Sequence, residues 1–161
     1  MEPRLQAREA NMRIAVACDH AAFPLKEDVI QAIKEMGHQP VDLGAYDTTP
    51  VDYPDYAVKI GQAILGGQAE RGVLICGSGV GASIAANKID GLYAGLCHDD
   101  YSAGQGVEHD NMNVLCMGAR VIGPALVPGL VHAFVNAQFS TEERHRRRVG
   151  KTMALERTHK P

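Results

Sequence analysis

No apolar run in the 161 residues approaches the roughly 20 that a membrane-spanning helix needs. The opening stretch, MEPRLQAREANMRIAV, has no apolar core ahead of Ile14, so no export signal is expected. Residues 1–11 are polar, precede a second methionine, Met12, and read as a leader or a disordered N-terminal extension. The four cysteines, Cys18, Cys76, Cys97 and Cys116, form no CxxC pair. That spacing argues against a zinc site and against a disulfide framework, and it fits the reducing cytoplasm. Positive charge is not in excess: the net charge is −3, so bulk charge points to no nucleic-acid partner. Repeats, linkers and low-complexity segments are missing too.

What is present is the mixture of a folded domain, with 45% hydrophobic and 22% charged residues. The length suits one core, so residues 12–161 are expected to form a single domain. Short apolar runs alternate with helical patterns. Strands are expected at 12–18, 39–44, 72–76, 92–97 and 113–118. The first helix places Leu25, Val29, Ile33 and Met36 on one face and stops at Gly37. Further helices are expected near 55–65, 82–88, 124–137 and 140–156, the last of them basic. Strands that are apolar on both faces belong in a parallel sheet covered on both sides. The expectation is an α/β fold, a Rossmann-like three-layer sandwich with a five-stranded parallel sheet and a C-terminal basic helix. In such sheets ligands sit beyond the carboxyl ends of the strands. Residues that follow strands therefore matter most: Asp19 and His20, Cys76 to Gly81, and His98 with Asp99.

The segment VLICGSGVGASIAANK carries a thiol at the mouth of a glycine loop. Two readings compete. GSGVGA matches the G-x-G-x-x-G/A outline of a dinucleotide-binding turn, with Asp99 as the acid about 20 residues on. Against it, the loop follows the third strand rather than the first, and its helix is short. The other reading is an anion hole, in which Gly77, Gly79, Val80 and Gly81 turn backbone N–H groups toward an oxyanion. Cys76 is then either a small hydrophobe ending a strand or a thiol that ionises near a helix N-terminus and acts as a base.

Other polar clusters flank this loop. Tyr53, in VDYPDY, offers a phenol to a sugar hydroxyl or packs at the sheet edge. EHDNMN, read as a polar loop before the last strand, holds His109, Asp110 and Asn111, and a histidine there can move protons near neutral pH. In ERHRRRVGK, Arg144 and Arg148 are four apart and share a helix face, a geometry suited to a phosphate. Arg146 and Arg147 point elsewhere. As a run, these cations also read as a solvated helix face.

Five segments, IAVACDHAAFPLK, VDYPDYA, LICGSGVGASIAANK, EHDNMNVLCMGARV and RHRRRV, together resemble the type B ribose-5-phosphate isomerase family. That family includes galactose-6-phosphate and allose-6-phosphate isomerases. The resemblance covers nearly all of the chain from Met12 onward. It implies interconversion of aldose and ketose phosphates without metal or cofactor, most simply ribose 5-phosphate and ribulose 5-phosphate. By resemblance, Cys76 is the base that moves a proton between C1 and C2. Some members use a glutamate after the glycines instead; here Ala82 stands there, so the thiol version is the consistent one. Ser78 and the backbone of Gly77, Gly79, Val80 and Gly81 match the anion hole, and His109 matches the ring-opening histidine. Asp19 and Tyr53 match sugar contacts; His20, Arg144 and Arg148 match phosphate ligands, with Arg120 added. The resemblance also implies a homodimer or homotetramer with its sites at subunit interfaces.

One position departs from the family pattern: His109 is followed by Asp110 and Asn111, where the family reads His-Asn-Asp. If that residue touches the sugar, a donor is lost and a charge is gained. A hexose 6-phosphate substrate is the alternative this opens. From other classes come a dinucleotide-binding module and a non-catalytic partner subunit. The presence of Cys76 and His109 in one chain argues against the latter.

Overall fold

The computed structural model describes residues 11–159; the expected leader lies outside them except for Asn11. Five strands, β1 (Arg13–Cys18), β2 (Gln39–Asp42), β3 (Arg71–Cys76), β4 (Ala94–Leu96) and β5 (Val114–Gly118), form one parallel sheet in the order β2-β1-β3-β5-β4. Alternate residues of the central strands enter opposite cores, as a two-residue side-chain period requires. Ile14, Val16, Val73, Ile75, Leu115 and Met117 face one layer of helices. Ala15, Ala17, Leu74, Cys76, Val114 and Cys116 face the other. The first layer holds α1 (Phe23–Glu35), α4 (Asp100–Asp110) and α5 (Val127–Asn136). The second holds α2 (Tyr53–Leu65) and α3 (Val80–Asn87). The basic helix α6 (Glu143–Thr158) buries only His145 and Val149. Among the described residues no helix is long and apolar enough to cross a membrane.

Most expected elements form, with shifted ends. The fourth strand, expected over 92–97, keeps three residues, because it is an edge strand paired only with β5. The helix after the glycine loop starts two residues earlier than expected, at Val80. The larger difference is α4. Its sequence, DYSAGQGVEHD, contains two glycines and no strong apolar stripe, so it reads as loop. It folds because Asp99 caps it, accepting a hydrogen bond from the Ser102 N–H at 2.7 Å, and because Ala103 and Val107, four residues apart, both enter the core.

This helix decides the layout of the molecule. It leaves the carboxyl end of β4 and must return to the amino end of β5. At about 1.5 Å per residue it carries its last turn roughly 16 Å across the sheet. His109 and Asp110 therefore sit at the amino edge, opposite Cys76.

Candidate active site

The carboxyl edge gathers the first group of expected residues at the point where β1 and β3 diverge in connection, the place where such sheets bind ligands. Asp19 is buried directly after β1; its N–H donates to the Ile75 carbonyl at 3.1 Å and its Oδ1 accepts from the Ala22 N–H at 3.1 Å. His20 accepts from the Val51 N–H through Nδ1 at 3.1 Å, which turns Nε2 outward.

Cys76 ends β3, and its Sγ accepts a hydrogen bond from the Gly79 N–H at 3.2 Å. The other three cysteines are plainly different. Burial pushes the Cys18 thiol up to about 11 and also raises Cys97 and Cys116. Those three are small hydrophobes. Cys76 alone among the four has a sulfur held by the glycine loop at the head of α3.

Gly79 makes that loop possible. It adopts φ +80° as the residue before α3, and a Cβ there would lie 2.5 Å from Leu96 and 2.8 Å from the Met117 carbonyl carbon. Both the left-handed backbone and the close approach to β5 exclude a side chain. Gly79→Ala is expected to lower thermal stability and activity together; a variant with wild-type melting and turnover would contradict this account of the loop. Behind Gly79, the first-turn N–H groups of Gly81 and Ala82 have no preceding carbonyl to receive them, while that of Val80 donates to Ser78 Oγ at 3.2 Å. The exit of β5 grips the loop from below: Ala119 N–H donates to the Cys76 carbonyl and Arg120 N–H to the Gly77 carbonyl, each at 2.9 Å.

Two further side chains reach the loop. The Tyr53 ring lies against Gly81, 2.7 Å from where a Cβ would stand, and the Arg120 guanidinium lies 3.6 Å from the same point on Gly77. Ala82 is fully buried in the second core, an apolar setting unsuited to a carboxylate. His98, singled out for its place after the fourth strand, accepts the Gly118 N–H at 2.9 Å and so supports the loop from β5.

The amino edge holds the second group. His109 stacks on His145 of α6, with centroids 3.9 Å apart and planes 13° from parallel. Its Nδ1 lies 2.9 Å from the Gln105 side-chain nitrogen. Asp110 is exposed and lines a cavity of about 350 Å³ with Tyr93, Cys97, Ser102, Met112 and Thr152. Asn111 turns the chain at φ +54° and caps α4 through its N–H. Arg144 and Arg148 are exposed one turn apart on α6, and Arg144 pairs with Glu142 at 2.8 Å. Arg146 and Arg147 do point elsewhere, toward the Phe139 ring and the Glu143 carboxylate. Tyr93 Oη donates to Glu156, which anchors the far end of α6 near the start of β4.

The expected residues thus fall into two groups, one at each edge of the sheet. The acid required by the dinucleotide reading, Asp99, is occupied as a helix cap. Among the described residues no three histidines, cysteines or carboxylates are placed to hold a metal ion.

Residues 14–152 match the family model described as Ribose/Galactose Isomerase. The chain is 41% identical over 144 residues to ribose-5-phosphate isomerase B of Escherichia coli, covering 89% of this chain and 96% of that one. It is 40% identical to D-erythrulose-4-phosphate isomerase of Pectobacterium atrosepticum, covering 80% of this chain and 85% of that one. The structure of type B ribose 5-phosphate isomerase from Trypanosoma cruzi superposes with a TM-score of 0.89 at 39% identity, covering 93% of this chain and 99% of that one.

Proposed function

This chain belongs to the ribose/galactose isomerase family, and from that premise we propose that it interconverts ribose 5-phosphate and ribulose 5-phosphate in the cytoplasm, with Cys76 as the base. The observation that carries the assignment of the base is the Gly79 N–H on Cys76 Sγ, at a loop whose helix presents further unpaired N–H groups. The reaction has three requirements, and the two half-sites supply them.

Ring opening comes first. His109 delivers its Nε2 proton to the ring oxygen as the bond between C1 and that oxygen breaks, and takes the proton of the anomeric hydroxyl in return. The Cys76 thiolate then removes the proton from C2. The electron pair forms the double bond between C1 and C2, and the negative charge falls on the oxygen held by the N–H groups of Gly77 and Gly81, with those of Gly79 and Val80 turning to it from Cys76 Sγ and Ser78 Oγ as the thiolate is neutralised. Ser78 relays a proton between the two oxygens, and Cys76 returns its proton to C1. Asp19 and Tyr53 hold sugar hydroxyls. His20, Arg120, Arg144 and Arg148 hold the phosphate, whose remote binding energy fixes the carbons against the thiol.

The half-sites lie on opposite edges of one chain, so His109, Arg144 and Arg148 act on the Cys76 of a second copy. A homodimer with two composite sites is the smallest assembly that allows this. Arg148→Ala is expected to lower kcat/KM for ribose 5-phosphate roughly 30- to 100-fold, the worth of a charge-assisted hydrogen bond. Turnover of unphosphorylated ribose should stay unchanged; equal losses on both substrates would make the arginine structural.

A second reading, a different sugar phosphate, is favoured by the exposed Asp110 carboxylate beside His109. The test is an isomerisation assay with ribose 5-phosphate, allose 6-phosphate, galactose 6-phosphate and erythrulose 4-phosphate. Preference for ribose 5-phosphate supports the first reading and preference for another phosphate supports the second. Silence across all four would overturn both.

A further inference from the structure

We propose that Gln105 and His145 are positioning residues for ring opening, which fix the His109 imidazole so that Nε2 alone is presented to the sugar. This rests on the isomerase reading above. Neither residue is assigned a contact with substrate; both act through His109.

Gln105 stands one helical turn before His109 on the same face of α4, and its side-chain nitrogen meets Nδ1 at 2.9 Å. That contact occupies one ring nitrogen and stops the ring from rotating about its own axis. His145 comes from a different element, α6, and lies flat beneath the ring at 3.9 Å and 13°. A ring held at one edge and across one face has a single orientation. A misplacement of about 1 Å in such a group is enough to cost on the order of a hundredfold in rate.

His145 does this as a neutral plate rather than as a second acid. It is buried, and burial holds its pKa below the ordinary histidine value; His109, Arg144 and Arg148 push the same way, and Glu142 opposes them. Glu108 and Asp110 flank His109 on its own helix. The exposed run of arginines on α6 therefore conceals a residue of another kind, packed inward.

The chemistry allows ring opening to be separated from enolisation. Ribulose 5-phosphate carries its phosphate on O5 and cannot close a furanose ring. Exchange of its C1 hydrogen with solvent needs Cys76 but not His109. The experiment compares net conversion of ribose 5-phosphate with deuterium uptake at C1 of ribulose 5-phosphate, followed by NMR in D2O. The variants are Gln105→Leu, His145→Leu and His145→Phe. Gln105→Leu and His145→Leu should lower net kcat/KM at least about tenfold, while exchange stays within about twofold of wild type. His145→Phe keeps a flat face and should recover most of the loss. Gln105→Leu is close in volume and keeps the test open if His145→Leu does not fold. Equal falls in conversion and exchange, or no fall in either, would overturn the proposal. A wild-type protein silent in both assays would overturn the isomerase reading and this proposal with it.

Discussion

Cys76→Ala is expected to stop both net isomerisation and C1 exchange, with kcat falling by about a thousandfold or more, the scale of a lost proton-transfer group. The fold should survive, with stability changed by about 1 kcal/mol, because one small buried side chain replaces another. Substrate affinity should change little, since the thiol acts in the chemical step and the phosphate ligands are untouched. The same change at Cys18, Cys97 or Cys116 should leave turnover intact. Those thiols are held protonated by burial, and only the Cys76 sulfur receives an N–H from the glycine loop. Turnover by Cys76→Ala at the wild-type rate would remove the thiol from the base role.

His109→Ala is expected to produce a different defect. Net conversion of ribose 5-phosphate should fall by about a hundredfold or more, yet ribulose 5-phosphate should still exchange at C1. The reason is the division of labour between the two edges of the sheet. On the proposed mechanism, Cys76 and the loop carry out enolisation, and His109 serves only the ring. Measuring conversion and exchange on the same preparation distinguishes the two roles. Loss of exchange along with conversion would show that His109 takes part in enolisation.

Much of the carboxyl-edge half-site is legible in the sequence. Asp19, His20, Cys76 and the glycines follow strands directly, and a parallel sheet brings the ends of its strands together whatever their order. The strand order itself is not legible: nothing in the sequence places β5 between β3 and β4. The amino-edge half-site is harder to see, and the cause is α4. Gly104 and Gly106 suppress its helical signal, while the cap on Asp99 and the burial of Ala103 and Val107 restore the helix in the fold. Read as a loop, that segment leaves His109 free to stand beside Cys76. Folded as a helix, it moves His109 to the other edge, and on the proposed mechanism a second copy is then needed. Gln105 and His145 escape the sequence for related reasons. One lies inside the segment read as loop, and the other is a single inward residue within a run of cations.

The composite site can be tested with two inactive proteins. Cys76→Ala and His109→Ala subunits are mixed, allowed to exchange, and assayed for conversion of ribose 5-phosphate. A mixed dimer takes its cysteine from one parent and its histidine from the other, which makes one intact site and one doubly damaged site. At equal mixing, half the dimers are mixed and each keeps one site of two, so activity should return to about a quarter of wild type. If the mixture has exchanged subunits and activity stays at the level of the parents, Cys76 and His109 do not meet across an interface, and the two-chain site is wrong.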